Sequence, residues 1–264
     1  MSVLLVAHGS RDSRFALRVT GIRDAVRAAV PTTRVELAYL DLNEPLVGTV
    51  LDELAQTGEP VTVIPLLLGD GYHSRFDLPV LLDAARRRWP AVEMTQSPVL
   101  GSADLTGSLA DRVRAAGLRT GDGIVMYAVG SSDERSDDAA RRRGAELGRH
   151  LGHPVEVVFA TKLGPDGFAL RDAIDRLRTT GAGRVVGLPY FLSPGLLTER
   201  VEALIDEHAP GSPIAGALGS HELVVGAIVA LIPPAPIRTS RRNPVGKRGP
   251  DREEATESAP ARTR

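Results

Sequence analysis

The sequence repeats itself, and this repetition constrains the fold more than any single motif does. "HGSRDSR" at residues 8–14 returns as "VGSSDER" at 129–135, an offset of 121. "VELAYLDLNEP" (35–45) returns as "VEVVFATKLGP" (155–165) at 120, and "PLLLGDGYH" (65–73) returns as "PYFLSPGLL" (189–197) at 124. Three anchors in the same order, with offsets agreeing within four residues, predict a duplicated unit.

Within each copy, short runs of branched apolar residues alternate with longer segments of helical period, the pattern of βα units and a parallel sheet. In the first copy the pattern predicts strands over 3–7, 34–39, 61–68 and 92–96, with helices near 14–29, 45–57, 78–88 and 103–116. The cycle restarts with a strand at 124–128. The expected fold class is therefore α/β, with two tandem lobes, each a parallel sheet flanked by helices. The expected boundaries are an N-terminal lobe over 1–118, a C-terminal degenerate lobe over 119–235 and a tail over 236–264. The tail is rich in Pro, Ser, Thr and charge, has little to bury, and is predicted to be disordered. A cleft between the lobes, at the carboxyl ends of their strands, is where a ligand is expected.

Composition removes whole classes of function. With no cysteine, disulfides, thiolate catalysis and cysteine-ligated metal are excluded. The longest apolar run, "LVVGAIVALI" at 223–232, is about half of a bilayer span, so a cytoplasmic protein without a membrane partner is expected. The formal net charge is −1, and the tail is net basic. The body is thus mildly acidic, which argues against a nucleic-acid partner.

The two copies can be compared to separate what the fold needs from what it does not. Gly-Ser after the first strand, Pro45/Pro165, Pro65/Pro189 and Gly71/Gly195 persist in both. His8 becomes Val129, Asp41 becomes Thr161, Glu44 becomes Gly164 and His73 becomes Leu197. Folding does not require the polar set, so something else accounts for it. Strands one, two and three should be neighbours or near neighbours, which brings His8, His73 and the carboxylate of Asp41 or Glu44 to one rim. Two imidazoles and a carboxylate suit a divalent ion such as Fe²⁺, Co²⁺, Ni²⁺ or Zn²⁺. They also suit acid–base work near neutral pH. Asp70 is either a third acid or a turn cap.

"VAHGSRDSR", "AYLDLNEP" and "PLLLGDGYHSRFDLP" together resemble the sirohydrochlorin chelatase family, class II tetrapyrrole chelatases, over roughly residues 3 to 232. The resemblance implies flavodoxin-like lobes in their fused form. It also implies ATP-independent insertion of a divalent metal, Fe²⁺ or Co²⁺, into sirohydrochlorin; because the chain has six histidines and no histidine-rich stretch that would load cobalt, Fe²⁺ is expected first and Co²⁺ as the alternative. By the same resemblance His8 and His73 are the catalytic and metal-binding histidines. The family's acid, usually Glu, falls on Asp41. No permanently bound cofactor is implied, because the metal is a substrate. For the macrocycle's carboxylates the candidates are Arg11, Arg14 and Arg75, with Ser10 as a helix cap first and a ligand second. A fused chain supplies both walls of its cleft, so a monomer or weak homodimer is expected. A carrier that binds metal or tetrapyrrole without catalysis would use the same residues.

Overall fold

In both halves of the chain the apolar runs form parallel strands, of which the first in each half is buried throughout. The computed structural model describes residues 1–234; the tail expected to be disordered lies outside the described residues. In the first lobe β1 (Ser2–Ala7), β2 (Arg34–Tyr39), β3 (Val61–Pro65) and β4 (Met94–Gln96) form one parallel sheet in the order β2-β1-β3-β4. In the second, β5 (Asp122–Ala128), β6 (Val155–Phe159) and β7 (Arg184–Pro189) repeat that order as β6-β5-β7. A single parallel bridge, Gly187 to Ile214, follows on the β7 side. The fourth strand of the second copy is thereby reduced to one pair.

Among the described residues eight α-helices flank the sheets: α1 (Ser13–Ala29), α2 (Val47–Ala55), α3 (Leu78–Arg88), α4 (Thr106–Ala115), α5 (Glu134–Leu151), α6 (Phe168–Thr179), α7 (Leu196–His208) and α8 (Glu222–Ala230). β3 ends earlier than its apolar run suggests. The Leu66 N–H still reaches the Val6 carbonyl, at 2.7 Å, but residues 66–72 then leave the sheet to build the cleft wall. The run 223–232 forms most of α8, an element whose all-round apolar character carries no readable helical period.

Three apolar cores hold the molecule together. One lies outside the first sheet, among Leu4, Val6, Leu51 and Leu82, and one outside the second, among Val125, Tyr127, Ile174 and Ile205. The third is shared, running from Leu5 and Ile22 through Leu109 to Met126, Leu188 and Ile228. Its helices are exchanged: α4, which closes the first copy, packs on α5 and β7 of the second, while α8, which closes the second, packs on α1 of the first.

Candidate functional site

The loop after each first strand is built the same way. Gly9 and Gly130 take φ of +105° and +91°, which glycine adopts without steric cost. Ser10 Oγ accepts from the Asp12 N–H at 3.1 Å, and Ser131 Oγ accepts from the Asp133 N–H at 3.1 Å. Asp12 and Asp133 then cap α1 and α5 by accepting from the N–H groups of Arg14 and Arg135. The cap of α1 is thus Asp12, and Ser10 braces the loop before it. This corrects the expectation that Ser10 caps the helix.

Because β1 and β3 pair directly, the loops that follow them meet. His8 leaves the end of β1, and His73 opens a π turn, His73–Asp77, that leads into α3. The two Nε2 atoms stand 2.9 Å apart with the rings nearly perpendicular, at 85°. His8 Nδ1 faces the Gly9 carbonyl at 3.2 Å, and His73 Nδ1 faces Asp77 Oδ2 at 2.6 Å. Carbonyl and carboxylate oxygens only accept, so each Nδ1 carries a ring proton and, in the neutral form of the two rings, each turns a bare Nε2 toward the other. Two lone pairs at that distance repel. A proton or a cation relieves the repulsion.

The pair lies on the wall of a cleft of about 760 Å³ between the lobes. Phe15, Leu66 and Leu68 line it from one side, and Phe159, Tyr190 and Phe191 from the other. Burial pushes the Tyr190 phenol up from its ordinary range, so this hydroxyl stays protonated. On the second lobe Val129 and Leu197, standing where the first lobe has its histidines, also line the cleft.

The acids and arginines are placed differently from the histidines. Asp41 Oδ1 accepts from the Leu42 N–H at 2.7 Å, and Glu44 Oε2 accepts from the Leu46 N–H at 2.9 Å. Asp41 adjoins the pair through its main chain, donating its N–H to the His8 carbonyl. Among the described residues, no group of three or more His, Cys, Asp or Glu is placed to hold a metal ion; the structure brings two histidines together without Asp41. Asp70 accepts from Ser74 and Arg75 and braces the π turn.

Arg11 lines the cleft and has no acidic partner among the described residues. Arg14 instead pairs with Asp12 and, across the lobes, with Glu199. Its hydrogen bonds hold the Asp12 carboxyl below the usual carboxylate range. Arg75 pairs with Asp70 and, across the lobes, with Asp133 at 3.5 Å. Arg75 and Glu199 occupy matching positions in the two copies, so the two inter-lobe pairs are counterparts with their charges reversed. Sequence reasoning assigned no role to Asp77, although the spacing His-x-x-x-Asp at the start of a helix signals a pair on one face.

The CbiX family model matches residues 2–116 and again residues 123–234. A sirohydrochlorin cobaltochelatase of Priestia megaterium is 26% identical over 216 residues, covering 78% of this chain and 69% of that protein. A sirohydrochlorin ferrochelatase of Bacillus subtilis (strain 168) is 24% identical over 237 residues, covering 86% and 89%. Among solved structures, SirB from Bacillus subtilis with Fe³⁺ superposes with a TM-score of 0.76 at 22% identity, over 87% of this chain and 93% of that one. The sirohydrochlorin chelatase SirB from Bacillus subtilis subspecies spizizenii in complex with cobalt gives 0.71 at 20%, over 87% and 92%. These two likenesses are of fold.

Proposed function

We propose, for a chain that belongs to the CbiX family, that His8 and His73 hold a divalent metal ion and insert it into sirohydrochlorin. The observation that carries this reading is the pair of imidazole Nε2 atoms 2.9 Å apart on the wall of an apolar cleft. His8 and His73 would hold the ion through two nitrogens at about 2.1 Å each, leaving its other coordination positions open to water and to the macrocycle's nitrogens. A two-nitrogen site suits an ion that must be released, because a closed four-ligand site would keep it.

Insertion also displaces protons from the pyrrole nitrogens. An imidazole that has given up its ion presents the same lone pair to such a proton, so one pair of rings serves both tasks. Arg11 meets carboxylates of the macrocycle, with Ser10 beside it, while the apolar walls take the ring faces. Arg14 and Arg75 act one step removed, holding the lobes beside the cleft. Asp41 and Glu44, exposed on the neighbouring loop, draw the hydrated cation toward the histidines. Fe²⁺ is the metal proposed first. The enzyme works without ATP in the cytoplasm, as a monomer or weak homodimer.

Anaerobic mixing of sirohydrochlorin with Fe²⁺ or Co²⁺, followed by absorbance, tests this reading. The protein is expected to accelerate insertion over the spontaneous reaction, more for Fe²⁺ than for Co²⁺. His8→Ala and His73→Ala are each expected to lower the rate by about 10²–10⁴-fold. A faster cobalt reaction would make cobalt the substrate. A spontaneous rate accompanied by tight binding would make the protein a carrier and end the enzymatic reading.

A further inference from the structure

We infer that Asp77 is a positioning residue that fixes the tautomer and direction of His73, so that Nε2, not Nε2–H, faces the metal's place; this rests on the chelatase reading above. Asp77 Oδ2 lies 2.6 Å from His73 Nδ1, a short charge-assisted contact. The carboxylate can only accept, which places the ring proton on Nδ1. In the other tautomer an N–H would point where the cation must go.

The His73 ring meets the His8 and Tyr72 rings edge-on but is not enclosed. The side chains of His73 and Asp77 are 47% and 41% exposed, so their hydrogen bond does the orienting. The carboxylate is itself held by a turn tied to the fold. The Leu78 N–H donates to the His73 carbonyl, closing the π turn. Within that turn Ser74 is buried, its Oγ donates to Asp70 and to the Gly71 carbonyl, and its own carbonyl accepts from Gln96 Nε2. His8 lacks such support, since its Nδ1 faces only the neighbouring Gly9 carbonyl at 3.2 Å.

The second copy supplies an independent observation. At the offset of 124 that carries His73 to Leu197, Asp77 falls on Val201, which is fully buried. In the second lobe this position lies in the second turn of α7 and takes an apolar residue, so the scaffold does not require the carboxylate, which occurs in the copy that has the histidine.

The test compares Asp77→Ala and Asp77→Asn with the wild-type full-length protein. Nitrogen NMR of the metal-free protein, at a pH where the rings are neutral, reads the His73 tautomer, and the visible spectrum of added Co²⁺ reads affinity. Asp77→Ala is expected to shift His73 toward the Nε2–H form and to weaken Co²⁺ binding by about 10- to 100-fold. KM for the metal should rise more than kcat falls. Asp77→Asn keeps an acceptor for Nδ1–H and is expected to recover part of each loss; it also carries the test if Asp77→Ala does not fold. An unchanged tautomer and Co²⁺ affinity in both variants would overturn the inference. If His8→Ala and His73→Ala keep wild-type insertion rates, the chelatase reading fails instead, and the tautomer measurement, which needs no turnover, still judges Asp77.

Discussion

The two lobes have one topology and solve the same packing problem differently. Where the first lobe places Val6 against the helix after β3 at Leu78, both in its outer apolar core, the second places Tyr127 and Glu202, joined by a hydrogen bond of 2.8 Å. Where the first has His8, His73 and Asp77, the second has Val129, Leu197 and Val201. Polar chemistry has moved from the rim in one lobe to the core side in the other. The scaffold tolerates either, so a polar residue that only one lobe carries marks local work and not a demand of the fold.

The first way to break the comparison is at the glycines that both lobes keep. A Cβ on Gly9 would meet the Asp41 backbone carbonyl at 1.7 Å, whereas one on Gly130 would meet Thr161 Oγ1 at 2.5 Å and Phe159 Cβ at 2.9 Å. Backbone cannot step aside as a side chain can. Gly9→Ala is expected to cost about 3 kcal/mol and Gly130→Ala about 1–2 kcal/mol, read as urea midpoints with unchanged slopes. Equal costs would show that the two loops are equally rigid.

A smaller effect is expected at Tyr127. Burial, reinforced by the Glu202 carboxylate, pushes its phenol far up, so it donates at every ordinary pH. Glu202 also borders a second, solvent-open cavity beside α7. Tyr127→Phe therefore leaves the carboxylate access to water, and the loss should be about 1 kcal/mol by the same urea measurement. A loss near 3 kcal/mol would mean that Glu202 is sealed from solvent.

The smallest effect depends on pH and belongs to the second lobe. Asp122, buried at the start of β5, accepts from Arg184, which is the main cause of its depressed pKa, and from the Arg119 N–H. A carboxylate with a folded pKa below its unfolded value of about 3.9 contributes stability that is fully present above that value. The contribution is lost as the pH falls through the lower folded value. Asp122→Asn should lower the thermal midpoint at neutral pH, and the gap from wild type should close below about pH 4. A gap that persists in acid would assign the effect to shape, not charge.

Duplication made much of this legible in advance. The parallel sheet of each lobe, the shared loop after β1 and β5, and the meeting of His8 with His73 follow from apolar runs and from differences between the copies, whereas the order β2-β1-β3-β4 is set by packing and is not written in them. The end of β3 was not legible, because Leu66–Leu68 continue the apolar run while lining a cleft. The direction of the Asp41 carboxylate was also hidden. It depends on a tight turn in which Leu42 adopts φ of +64° and offers its N–H to that side chain, and neither fact can be read from residue types. Arg14 and Arg75 each have one acidic partner nearby in sequence, Asp12 and Asp70, but their second partners, Glu199 and Asp133, lie in the other lobe. No local pattern records contacts over that separation.

The exchange of α4 and α8 bears on how the chain is made. During vectorial synthesis the first lobe emerges with its sheet complete, but the helix that covers α1 is α8, near the end of the described residues. Until that helix appears, Ile22, Val26 and their neighbours in the shared core lack part of their cover. The histidine-bearing half, translated first, therefore has the helix that covers α1 only once its duplicate has been made.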